Sequence, residues 1–200
     1  MKGEPIMRIT WNKRRIRSSL LTIALLIITI ALLPRPIMQA QEETIPTTIF
    51  LVRHAEKVQD GSANPALTSA GMERAIALAD LLEDAGITAI HSTDFIRTRD
   101  TVVPLAERLE LPITIYDPRN LAVKAALLKD MPGRHVVSGH SNTTPELVRL
   151  LGGDPGPPMV EAGENDRLYI VTLHPDGTVG TVVLRFGKRF RPGGQDPTLW

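Results

Sequence analysis

From Thr47 onward, short β-branched and apolar runs alternate with stretches whose apolar residues recur at helical spacing. Such alternation restricts a chain to strands joined by crossover helices, a three-layer α/β/α fold around a mostly parallel sheet. The run TTIFLVR (47–53) reads as a buried strand. Residues 68–85 carry Met72, Ile76, Ala79 and Leu82 on one helical face, with Thr68 as N-cap and Gly86 as the stop. Further strands are expected at 87–91, 112–116 and 135–138, and helices at 96–109, 120–131 and 145–151. Pro104 falls inside the second helix and should interrupt or kink it, because it has no N–H to donate. A loop rich in Gly and Pro (152–158) leads to two strands, 168–173 and 178–186, joined by the turn signal His174-Pro175-Asp176-Gly177. There is no internal repeat, and residues 41–200 are expected to form one domain.

Residues 1–40 have a different character. Seven of the 23 basic residues but one of the 22 acidic residues lie there, which leaves the remaining chain with 16 basic against 21 acidic side chains. A mildly acidic body lacks the broad cationic footprint of a nucleic-acid binder. After the basic cluster 13–17 come 17 uncharged, mostly apolar residues (18–34), about 25 Å as a helix. A basic region, an apolar region and a small residue at Ala40 resemble a secretory signal. An uncleaved membrane anchor over 18–34 is the competing reading, and both put the body in an exported, periplasmic location. The chain has no cysteine, which excludes disulfides, thiolate nucleophiles and Cys-type zinc sites.

In a sheet of this kind, ligands bind at the carboxyl ends of the strands. The first strand runs out into Arg53-His54-Ala55-Glu56-Lys57, the second into His91-Ser92-Thr93-Asp94 with Arg97 and Arg99 beyond, the third into Asp117 and the fourth into Gly139-His140-Ser141-Asn142. Two histidines, several arginines and a carboxylate thus converge on one rim. Guanidinium groups offer planar paired donors to phosphate oxygens and keep their charge at every relevant pH.

The stretches LVRHAEK (51–57), NPALTSAGMERA (64–75), HSTDFIRTRDT (91–101) and VVSGHSNT (136–143) resemble the histidine phosphatase, or phosphoglycerate mutase-like, superfamily, in particular its small broad-specificity and phosphohistidine-phosphatase-like members. The family more often has Gly where this chain has Ala55. The resemblance implies that His54 attacks phosphorus and forms a phosphohistidine, and that Arg53, Arg97 and His140 hold the non-bridging oxygens, with Ser141 and Asn142 beside them. It also implies that no metal or other cofactor is needed. The family supplies the general acid either as a Glu after the third strand or as an Asp directly after the second histidine. Ser141 occupies the latter place, so Asp117 is the candidate for the former, with capping of the helix near Asn120 as its alternative role. Mutases of the family carry extra loops for which this chain is too short.

The expected partner is a small phosphorylated substrate or an envelope phosphate, with the N-terminal segment contacting membrane and no nucleic acid bound. Two other functions compete: a phosphate-ligand binder on the same fold, and a serine hydrolase using Ser141, whose surroundings partly mimic a G-x-S-x-G turn. A metal-dependent phosphatase is disfavoured because the carboxylates are too scattered for an oxygen-rich cage. Arg99, His91, His135 and His174 are read as structural, and Glu56 and Lys57 as orienting the pocket.

Overall fold

A computed structural model describes residues 46–192. The signal or anchor read over 1–40 and the last eight residues lie outside them. Ten elements follow in order: β1 (Thr47–Arg53), α1 (Ser69–Leu82), β2 (Ala89–Thr93), α2 (Ile96–Leu109), β3 (Ile113–Tyr116), α3 (Leu121–Lys129), β4 (Arg134–Gly139), α4 (Thr143–Leu151), β5 (Arg167–Leu173) and β6 (Val179–Arg185). The six strands form one sheet in the order β3-β2-β4-β1-β5-β6. Contacts among β3, β2, β4 and β1 are parallel, while β5 runs antiparallel to both β1 and β6.

Alternate residues of each strand feed opposite faces, so the centre of β1 (residues 49–52), covered by helices on both faces, is apolar. Phe50 and Val52 pack with Leu78, Leu82, Val102 and Leu105 of α1 and α2. Ile49 and Leu51 pack on the other face with Leu128, Leu147, Val148 and Leu151 of α3 and α4. The two clusters make the three expected layers.

Local signals account for most boundaries. Thr68 caps α1, its hydroxyl oxygen accepting from the Gly71 amide at 3.1 Å. Gly71 itself permits a close approach, since a Cβ there would lie 2.2 Å from the Glu56 carbonyl oxygen. No side chain within α2 caps it; Asn64 Oδ1 reaches across and accepts from the Ile96 amide at 2.8 Å. Helix α2 spans the expected 96–109 and is not interrupted at Pro104, because Val102, Leu105 and Ala106 on either side are buried in the core and packing outweighs one missing hydrogen bond. Strand β2 is displaced two residues beyond the expected 87–91, since Ser92 and Thr93 pair with β3 despite their polarity.

Candidate active site

The order β2-β4-β1 sets three parallel strand ends side by side. Arg53 closes β1 and His54 follows it; Thr93 closes β2, with Arg97 in the first turn of α2; His140 follows Gly139 at the end of β4. The backbone around His54 is held from several directions. Its amide donates to the Gly139 carbonyl at 2.9 Å, and its carbonyl accepts from Asn165 Nδ2 at 2.7 Å. The Ala55 amide donates to Thr101 Oγ1 at 2.9 Å, and that hydroxyl donates to the Arg97 carbonyl at 2.7 Å.

The protonation pattern of both site histidines follows from their partners. His54 Nδ1 lies 2.8 Å from the Ala55 carbonyl oxygen. A carbonyl can only accept, so Nδ1 carries the proton and Nε2 keeps its lone pair. Burial, helped by Arg53, Arg97 and His140, outweighs that hydrogen bond and pushes the His54 pKa down to about 4. The ring is neutral at neutral pH, with an available nucleophilic nitrogen. For His140 the proton is fixed by a hydroxyl relay. Thr98 Oγ1 lies 2.9 Å from the carbonyls of Thr93 and Phe95, to which it must donate. The 2.9 Å contact between the two threonine hydroxyls therefore uses the Thr93 proton. Thr93 Oγ1 is left to accept from His140 Nε2–H at 3.1 Å. Burial, with Arg97 and Arg53 nearby, lowers the His140 pKa to about 4. The two imidazoles meet edge to face with centroids 5.7 Å apart.

His54, Lys57, Arg97, His140, Ser141 and Asn142 line one cavity of about 630 Å³. Arg53 lines an adjoining one of about 480 Å³, which His54 and Lys57 share. Arg97 lies over the Phe95 ring, its guanidinium carbon 4.4 Å from the centroid. Arg53 donates through Nη1 to the Val160 carbonyl at 3.1 Å and through Nη2 to the Glu161 carbonyl at 2.9 Å and carboxylate at 3.2 Å. Nε and Nη1 of Arg97 and Nε of Arg53 are buried without a hydrogen-bond partner. Buried donors are seldom left unsatisfied. Around a neutral imidazole, such a set suits an anion with several oxygens.

The remaining expected residues fall as follows. Asp117 does not itself line the His54 cavity, although Pro118 and Arg119 do; it forms an exposed ion pair with Arg119 (Oδ2 to Nη2, 3.0 Å). Hydrogen bonds from the Arg119 side chain and backbone hold its pKa below the ordinary carboxylate value. It does not bond the α3 N-terminus either, beyond its carbonyl accepting from the Asn120 amide at 3.1 Å. Asn142 occupies the N-cap position of α4 without a side-chain capping bond. Thr143 Oγ1 instead accepts from the His140 amide at 2.9 Å. The Ser141 hydroxyl bonds to the Glu161 carboxylate, so its partner is an acid and not the imidazole a serine nucleophile requires. Arg99 pairs with Asp94 at 2.6 Å, away from Arg97. Glu56 is clamped by the buried Arg74 (Nη2 to Oε1, 2.7 Å), which also donates to the carbonyls of Phe186 and Lys188.

The sequence did not reveal Glu161, Asn165, Thr93 or Thr101 as site residues. Glu161 and Asn165 sit in a loop between α4 and β5 with no periodic pattern. Thr93 and Thr101 do lie within the quoted 91–101 stretch, but their role depends on which hydroxyl faces which group. Among the described residues, no group of three or more His, Asp or Glu is disposed to hold a metal ion, and no helix is long and apolar enough to cross a membrane.

Residues 49–119 match the family described as the histidine phosphatase superfamily (branch 1). Solved structures share the fold. The protein histidine phosphatase SixA, in complex with tungstate, is 19% identical over 69% of this chain and 96% of its own, with a TM-score of 0.59. A mycobacterial glucosyl-3-phosphoglycerate phosphatase is 16% identical over 70% and 98%, with a TM-score of 0.56. A phosphoglycerate mutase from Bacillus anthracis str. Sterne is 14% identical over 70% and 93%, with a TM-score of 0.53. No curated protein sequence matches the chain.

Proposed function

Since residues 49–119 match the histidine phosphatase superfamily (branch 1), we propose that the chain is a metal-independent phosphatase that cleaves a phosphomonoester or phosphoramidate through a phosphohistidine on His54. The supporting observation is the pairing of a buried His54, its Nε2 free to attack, with three unpartnered guanidinium nitrogens of Arg53 and Arg97. Those nitrogens would take phosphate oxygens and meet the negative charge that grows on them in the transition state. His140 would add to them. Its Nδ1 carries the lone pair while the ring is neutral, and a phosphate dianion would draw a proton onto it and turn it into a third donor. Water then attacks the phosphohistidine and returns the electron pair to Nε2.

The basic cluster and apolar run of residues 13–34 support an exported enzyme, either cleaved near Ala40 or held by residues 18–34. An extracytoplasmic phosphate, such as a phosphorylated envelope sugar, is the corresponding substrate class. Protease accessibility of the body in intact cells tests this location.

The catalytic reading is tested with the full-length chain on a panel of alkyl phosphates, aryl phosphates and phosphoramidates, run beside His54→Ala with and without chelator. Turnover that the substitution abolishes and chelator leaves untouched is expected. Undiminished turnover by His54→Ala refutes the assignment.

A further inference from the structure

A leaving alkoxide has to be protonated, and the expected donor Asp117 is tied to Arg119, which lines the His54 cavity while Asp117 itself does not. Among the residues lining that cavity there is one carboxylate, Glu161. The same residue lines the Arg53 cavity and a third cavity of about 430 Å³, whose walls include Pro145, Pro155, Pro158 and Met159. Ser141 and Asn142 belong to both the first and the third. Glu161 therefore stands where the anion pocket opens into a mostly apolar recess. The bond to be broken in a phosphomonoester lies at that kind of boundary, with phosphorus on one side and the organic group on the other.

The carboxyl is held in place without being sealed off. Ser141 Oγ binds one oxygen, and Arg53 Nη2 lies 3.2 Å from the other. The side chain is still 73% exposed. The backbone beneath it is anchored, since the carbonyls of Val160, Glu161 and Glu164 all accept from Arg53. Glu164 is buried, and its carboxylate binds the Val160 amide at 2.7 Å and Arg167 and Arg185 besides. The segment that carries Glu161 is thus fastened at both ends.

From this placement we infer that Glu161 is the general acid, protonating a leaving group that lies in the recess beside Pro145, Pro155 and Met159. The inference rests on the phosphatase reading above. His54 Nε2 forms a bond to phosphorus as the bond from phosphorus to the leaving oxygen breaks. That oxygen keeps the electron pair and takes the Glu161 proton. In the second step the Glu161 carboxylate accepts a proton from the attacking water, and the N–P electron pair returns to Nε2.

The proton is loaded by the substrate itself. In the free site, partial burial opposes ionisation of Glu161, but Ser141, Arg53, His54 and Lys57 together hold its pKa below the usual carboxylate value. A phosphate dianion that binds Arg53 and Arg97 competes for the same positive charge and adds negative charge beside the carboxyl, so a proton is taken from solvent. The carboxyl becomes an acid only with substrate present.

The test compares Glu161→Gln with the wild-type full-length chain on a series of phosphomonoesters whose leaving groups run from p-nitrophenol to simple alcohols, with His54→Ala in parallel. The readout is kcat/KM, which reports transfer to His54 whichever step limits turnover. For alkyl phosphates the variant should lose about 10²- to 10⁴-fold, with a much smaller loss for p-nitrophenyl phosphate, whose phenolate leaves without a proton. The dependence on leaving-group pKa steepens accordingly. Equal losses across the series overturn the inference, since they would mean that Glu161 acts by holding Arg53. Turnover that survives in His54→Ala overturns the phosphatase reading instead.

Discussion

The hydroxyl of Thr93 lies 3.1 Å from Nε2 of His140 and, because its own proton goes to Thr98, fixes that nitrogen as a donor. Two threonines from the end of one strand and the start of the next helix thus determine how a histidine from a third element meets the site. Thr93→Val keeps the shape and removes the acceptor. It should cost about 1–3 kcal/mol of stability, the usual penalty for leaving a buried donor unpaired, and lower kcat as His140 loses its orientation. Denaturant melts and steady-state kinetics check both effects, and a variant unchanged in both contradicts the relay.

Arg97 contributes two of the three unpartnered guanidinium nitrogens. Arg97→Ala should reduce kcat by about 10²- to 10³-fold, the cost of removing a preorganised charge-stabilising donor. It should also weaken competitive inhibition by inorganic phosphate. Arg97→Lys should restore little, because an ammonium cannot present paired donors in a planar fork. Inhibition constants for phosphate across the three proteins provide the measurement.

A second histidine pair, remote from the chemistry, should contribute to acid stability alongside His54 and His140, which burial lowers likewise. His135 Nε2 lies 3.0 Å from the Met131 carbonyl and so carries its proton there. Its Nδ1 then accepts from His91 Nε2–H at 3.3 Å, and His91 Nδ1 is buried without a partner. A second proton on His91 has no carboxylate to meet and faces Lys124. Burial, with Lys124 and His135 adding to it, pushes the His91 pKa from 6.5 down to about 3. Burial lowers His135 as well. The unfolded chain then binds more protons than the folded one below pH 6.5, so stability is full above that value and falls as pH drops toward 3. Melting temperature against pH should show this limb, and His91→Leu should flatten it. An identical limb in the variant contradicts the assignment.

The motif after His54 is also braced at a distance. Arg74 is 5% exposed, with its guanidinium clamped to Glu56 and to two carbonyls beyond β6. Glu56→Ala strands that charge and should cost about 3 kcal/mol. Combining it with Arg74→Leu should recover part of the loss, as measured by chemical denaturation.

Much of this arrangement was legible before folding, and the reason is local chemistry. Strand β1 spans 47–53 as read, because a strand covered on both faces needs an unbroken apolar and β-branched centre, here residues 47–52. His54, Arg97 and His140 lie just past strand ends, where an α/β sheet gathers its functional groups. What escaped notice depends on long-range partners. Arg74 looks like a solvent-facing helical residue until the carbonyls of Phe186 and Lys188 close over it. Glu161 and Asn165 lie in a stretch with no period to read, and they reach the site only because Arg53 and Glu164 fasten that stretch. Asp117 follows a strand, as a site acid would, but an arginine two residues on occupies it. No sequence spacing announces such a pairing.

The most direct test of the central claim is to quench the full-length chain during turnover of a phosphomonoester and locate the bound phosphate by mass spectrometry. An acid-labile, alkali-stable phosphoryl group on His54, absent from His54→Ala, is the predicted result. A phosphoryl group on Ser141 or another residue, or rapid turnover without phosphorylated His54 in a single-turnover time course, would contradict it.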